Sequence, residues 1–209
     1  MYLSPFVRSV ALAAVLVSLA GCVPNIAETS DTRFYVLGDL PASTQPLPGA
    51  ARTPPLTVDL AALTIPQYLQ RPQIVTRIEK NQLFLSEFHN WGGSLEKNMM
   101  RVLASNLSLL LATPEIHIAT RRSPPNVSAR VEVEVMQFER RPDRRAVLSV
   151  QWRLVQANRD RTPIISKINI LESEPVASAS MDATVAAMSD LMGELSIVIA
   201  EAIVSHANG

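Results

Sequence analysis

The 209-residue chain has one cysteine, three histidines and seven glycines, and its 19 basic side chains are balanced by 19 acidic ones. Each shortage removes a class of function. A lone cysteine cannot form an internal disulfide. His89, His117 and His206 are far apart, and none stands in a zinc-type spacing with a second histidine or cysteine. No metal or cofactor site is therefore expected. Few glycines leave little material for a phosphate-cradling loop, and no G-x-S-x-G elbow occurs to present a nucleophile. A formal charge of zero gives no broad field to attract nucleic acid.

What is present is apolar. Hydrophobic residues make up 47% of the chain and charged ones 18%, which suits one globular domain with appendages. Arg8 precedes an apolar run from Val10 to Ala20 that ends in small residues, the layout of a secretory signal over residues 1–21. That run falls short of the roughly 20 residues a spanning helix needs. The chain is expected to be exported, not embedded. Leu19-Ala20-Gly21-Cys22 resembles the lipobox of bacterial lipoproteins, which implies cleavage after Gly21 and a covalent lipid on Cys22. Lipidation would also account for an odd cysteine in an exported protein. Val23 stands where an aspartate would resemble an inner-membrane retention signal, so the resemblance points to the outer membrane.

Residues 22–32 are polar and aperiodic, and read as a tether. "RFYVLG" opens a domain over residues 33–209, followed by a proline-rich loop at 39–55. "LTVDL" reads as a strand, Pro66 and Pro72 bracket a turn or short helix, and Gln73–Glu79 and Gln82–Phe88 read as a hairpin closed by a Trp-Gly-Gly break. Ser94 is a candidate N-cap for a helix carrying Leu95, Met99, Val102, Leu103, Leu107, Leu110 and Leu111 on one face. After a short strand at "EIHIAT", three longer strands form a meander. Their expected common faces are Val131, Val133 and Val135; Leu148, Val150 and Trp152; and Ile164, Ile168 and Ile170. A long amphipathic helix with Met181, Val185, Met188, Met192, Leu195 and Ile199 in a stripe closes the chain, weakened locally by Gly193. The expected fold is α+β, a two-layer sandwich in which two amphipathic helices cover one face of an antiparallel or mixed sheet.

Glu132/Glu134 and Glu172/Glu174 are spaced as solvated charges on an outer sheet face. The methionines of the last helix suit core packing. Arg140, Arg141, Arg144 and Arg145 surround Pro142-Asp143 at one hairpin tip, where four guanidiniums could contact an acidic partner or phosphate head groups; a solvated turn is the alternative.

The lipobox, "FYVLG", "LTIPQYLQRPQIVTR" and "LFLSEFHNWGGSLEKNMMRVLASNLSLLL" together resemble the PqiC family of transport auxiliary lipoproteins, closest over Leu63–Leu111. The resemblance implies a non-enzymatic subunit on the periplasmic face of the outer membrane. Its implied partners are an MCE-domain tunnel protein and inner-membrane components, either a Pqi-type protein or an ABC transporter. It further implies a phospholipid or related cargo and a ring of identical subunits. A lipoprotein accessory factor of another envelope complex, such as a secretion system, would need the same anchor, tether and domain. An envelope hydrolase would need a nucleophile and base that only the fold brings together.

Overall fold

Strand-period and helix-period runs each form the element their pattern dictates. The computed structural model describes residues 31–118, 126–156, 162–177 and 180–208. The signal segment, Cys22 and the tether up to residue 30 lie outside the described residues, as does most of the 158–162 turn. Eight strands follow in order: β1 Arg33–Tyr35, β2 Val58–Thr64, β3 Gln73–Glu79, β4 Gln82–Trp91, β5 Ile116–Ile118, β6 Ala129–Arg140, β7 Ala146–Val155 and β8 Pro163–Glu172. Helix α1 spans Leu95–Leu110 and helix α2 spans Met181–Asn208.

β6 is the hub of one mixed sheet. Antiparallel β7 pairs along one of its edges from Arg130 to Arg140. The other edge is shared between β2, parallel over Val58–Thr64, and β3, which meets it where Thr76 faces Arg140. β5 extends the sheet from β2, β4 and β1 extend it from β3, and β8 pairs with β7. β6, β7 and β8 form the expected antiparallel meander. The architecture is α+β, with both helices packed on one face.

α1 starts where Ser94 Oγ accepts a hydrogen bond from Lys97 N at 3.3 Å, satisfying one of the free donors of the first turn. Its Leu95, Met99, Val102, Leu103 and Leu107 are buried. α2 is long and apolar enough by composition to cross a membrane, but its Met188, Leu191, Met192, Leu195 and Ile199 belong to the core. It is the central packing element.

The proline-rich loop is lashed to the helices through its backbone donors. Leu37 N donates to Asn98 Oδ1 at 2.7 Å, Leu40 N to Asn106 Oδ1 at 2.8 Å, and Leu47 N to Leu110 O at 2.8 Å. Asn106, almost wholly buried, also donates to Ser196 Oγ at 3.1 Å, so one amide ties loop, α1 and α2 together. Leu40 lies over Gly193, where an added Cβ would stand 2.8 Å from Leu40 Cδ2. The glycine that weakens α2 in isolation makes room for this leucine.

One expectation is corrected and one is completed. The hairpin strand does not stop at Phe88: β4 runs through Trp91, which is 4% exposed and completes the pairing with Tyr35. Ile168 and Ile170 share a face as expected, and that face is turned away from the core, with Ile164 also exposed. The register sets Ile168 opposite Gln151 and Ile170 opposite Ser149, on the side away from the helices. The core side of β8 holds Ile165 and Leu171, which pack against the core, and Asn169, whose Oδ1 accepts from Trp152 Nε1 at 2.9 Å. A fully buried indole needs that acceptor, and the neighbouring edge strand supplies it.

Candidate functional surface

The two halves of the "YLQRPQIVTR…FHNWGGSL" segment close on each other. Trp91 N donates to Pro72 O at 2.7 Å, and Gly92 N donates to Tyr35 O at 2.7 Å. Between them lies a cleft of about 440 Å³ at the start of α1, with Leu69, Pro72, Trp91 and Leu95 in its wall and Arg71 and Glu96 alongside. Gly92 permits close approach: a Cβ there would meet Val36 Cγ1 at 3.2 Å.

The same segment carries a buried charge network. Glu139, with no exposed surface, receives Arg77 Nη2 at 2.8 Å, Arg77 Nε at 2.9 Å and Gln137 Nε2 at 2.9 Å on Oε1. Its Oε2 accepts the Tyr68 hydroxyl at 2.6 Å and Phe138 N at 3.1 Å. Burial pushes the Tyr68 hydroxyl pKa well up, reinforced by the hydrogen bond to Glu139 and then by its charge. The carboxylate pins the 3-10 turn Gln67–Leu69 and β3 to β6. Its chemistry is that of a satisfied structural ion pair.

At the β6–β7 tip, three of the four arginines are engaged within the chain. Arg140 Nη1 approaches Thr184 Oγ1 at 3.5 Å; Arg141 Nη2 lies 2.5 Å from Glu172 and 3.9 Å from Asp143. Arg145 Nη1 donates to Ser173 O at 2.9 Å and lies 3.8 Å from Glu174. The segment after β8 is thereby stapled to the hairpin. Arg144 is exposed, sits at φ 65, and has no side-chain partner among the described residues.

The histidines stay apart. His89 Nδ1 is 2.8 Å from Ser86 Oγ and its ring centroid is 5.7 Å from that of Tyr35. His117 lies 3.3 Å from Glu115, and His206 occupies the last turn of α2. Among the described residues no group of three or more His, Cys, Asp and Glu is placed to hold a metal ion.

Exposed apolar side chains are the feature that sequence reading missed. Phe34 is 69% exposed, and Val36 and Phe88 are exposed beside it; at the opposite end of the sheet Ile168 and Ile170 are 63% and 64% exposed. β1 has three residues, too few for alternation to reveal which side faces water. Together these define an α+β domain with exposed apolar side chains at both ends of its sheet, and with Ile78, Phe84, Leu85 and Met136 exposed between them.

The chain belongs to the ABC-type transport auxiliary lipoprotein component family, whose model matches residues 35–200. The resemblance read from the sequence is thus shown at the level of the family. A crystal structure of an uncharacterized protein superposes with a TM-score of 0.64 at 20% identity, covering 83% of this chain and 99% of that one. A DUF330-family protein from Xanthomonas campestris superposes with a TM-score of 0.70 at 13% identity, covering 85% and 97%. At these identities the likeness is one of fold. Comparison with curated proteins found no match.

Proposed function

We propose that the protein is a non-catalytic lipoprotein subunit, anchored through Cys22 to the periplasmic face of the outer membrane, in an MCE-type intermembrane lipid transport system. Membership of the auxiliary lipoprotein family over residues 35–200 carries the reading, joined to the Leu19-Ala20-Gly21-Cys22 end of an apolar signal. The family supplies the transporter as partner class. The MCE-domain tunnel protein, the phospholipid cargo and a ring of identical subunits are the finer part of the proposal. Residues 1–21 act as the signal, 22–32 as the lipidated tether and 33–209 as the working domain. Ile168 and Ile170, on a strand that pairs only with β7, supply apolar surface for self-association. Arg144 is the cation of the β6–β7 tip best placed to meet an acidic partner.

The test is recovery from the membrane. Full-length protein, cross-linked in cells and purified from the outer membrane, should bring down an MCE-domain protein. Recovery of a secretion-complex component in its place would transfer the chain to the accessory-factor reading.

A further inference from the structure

We infer that Phe34, Val36 and Phe88 form a lipid-contacting patch that lays the β1–β4 end of the domain on the membrane surface. The inference rests on the lipid anchor at Cys22 proposed above.

The geometry begins with the parallel pairing of β1 and β4. Arg33, Phe34 and Tyr35 lie opposite His89, Asn90 and Trp91. Tyr35 packs against the core and Trp91 is within it, and Tyr35 stacks near His89, so residues 33, 35, 89 and 91 share the inner face. Alternation turns Phe34 and Asn90 to the other side, and Val36, just past the strand, follows; Phe88 lies in the irregular stretch of β4 between Leu85 and Asn90 and is 43% exposed. The 69% exposure of Phe34 and 62% of Val36 are large for side chains in an ordered strand and its continuation. Neither helix covers them. Phenylalanine and valine supply the apolar groups an interfacial contact places at the acyl boundary.

The occupant is decided by where the chain leads. Phe34 stands only twelve positions after Cys22, a reach of at most about 40 Å. Of the exposed apolar sites, this one stands nearest to the anchor along the chain. A short tether makes its contact with lipid intramolecular, at an effective concentration of order millimolar. Even a weak apolar contact is then populated. Ile168 and Ile170 lie at the far end of the sheet order, separated from β1 by β4, β3, β6 and β7.

The experiment uses the full lipidated chain reconstituted into phosphatidylethanolamine and phosphatidylglycerol vesicles, with and without brominated acyl chains. One variant carries Phe34→Trp and a second carries Ile168→Trp, with the emission of buried Trp91 and Trp152 subtracted from the parent. Most of the emission from position 34 should be lost in brominated vesicles, and that from position 168 retained. Retention at both positions, or equal loss at both, in protein that floats with the vesicles overturns the patch while the anchor stands. Protein that fails to float overturns the anchor and the patch with it. Light scattering in detergent on a Phe34→Ser/Phe88→Ser chain guards against the other occupant: an unchanged mass supports lipid contact, and dissociation would assign the patch to a contact between copies.

Discussion

Arg77 on β3 and Glu139 on β6 meet at 2.8 Å, although 62 residues separate them. The carboxylate has no exposed surface, so its charge depends on Arg77, Tyr68, Gln137 and one backbone N–H for compensation. Removing its charged partner leaves a buried carboxylate poorly paired, which costs about 3–5 kcal/mol. Arg77→Met should therefore destabilise the fold by roughly that amount, nearer the lower end because Arg77 is 24% exposed. Arg101→Met, which breaks a pair 51% and 35% exposed with Asp39, should cost no more than about 1 kcal/mol. Urea unfolding of both variants gives the comparison, and equal losses would remove Glu139 as a keystone.

Tyr68 leads to a prediction at high pH. Its hydroxyl pKa is raised in the folded state above the ordinary value of about 10, chiefly by burial and then by Glu139. A group that holds its proton more tightly when folded contributes stability that is complete below the unfolded pKa and lost as pH rises toward the folded one. Stability should fall above about pH 10, and Tyr68→Phe should flatten part of that decline while costing about 1 kcal/mol at neutral pH through the lost hydrogen bond. Chemical denaturation from pH 7 to 11 measures both effects; an alkaline limb identical in parent and variant would refute the assignment.

These two residues also mark where sequence reading ends. Periodicity located β6, β7 and both helices because each buries a face along its whole length, as Val131, Val133 and Val135 do. Ser94 was legible as a cap because capping is local. Glu139 escapes sequence reading, since nothing near it in the chain announces partners 62 and 71 residues away. β8 was legible as a strand, but which of its faces meets the core was not. "PIISKINIL" offers isoleucines to both faces, and which side matters depends on where the helix layer ends and on the needs of Trp152. The apolar surface at Phe34 was hidden likewise, because exposure belongs to the assembled sheet.

Gly193 and Leu40 give a packing prediction. A Cβ at position 193 would come within 2.8 Å of the far end of the leucine side chain, which can swing away, so a single methyl gains helix propensity while pushing that side chain aside. A β-branched residue leaves no such escape. Gly193→Val should lower stability by about 1–3 kcal/mol through overpacking, and Leu40→Ala combined with it should recover part of the loss. A double mutant that is merely additive would show that the two sites are uncoupled.

The anchor is tested by Cys22→Ser. If acyl chains on that thiol hold the protein, the variant should leave the membrane fraction and collect in the periplasm as a folded protein, since Cys22 precedes the compact unit that starts at Thr32. Fractionation followed by thermal unfolding reads location and integrity separately. A variant retained in the outer membrane to the same extent as the parent would reject lipidation at Cys22.

The arginine tip separates into two roles that salt can distinguish. Arg141 and Arg145 staple the segment after β8 to the hairpin, so replacing them should loosen that segment at any ionic strength. Arg144 makes no such contact, and its φ of 65 lies in the region glycine tolerates best. Arg144→Gly thus removes the charge without asking the turn to change shape. An exposed charge at an interface rim contributes about 0.2–1 kcal/mol and acts mainly on association rate. Affinity for the MCE-domain partner should fall by up to about fivefold at low salt and converge with the parent near 1 M, where the Debye length is only about 3 Å. Surface plasmon resonance at two ionic strengths supplies the rates. A loss independent of salt would mean that Arg144 shapes the turn, and no loss at either strength would remove the tip from the partner interface.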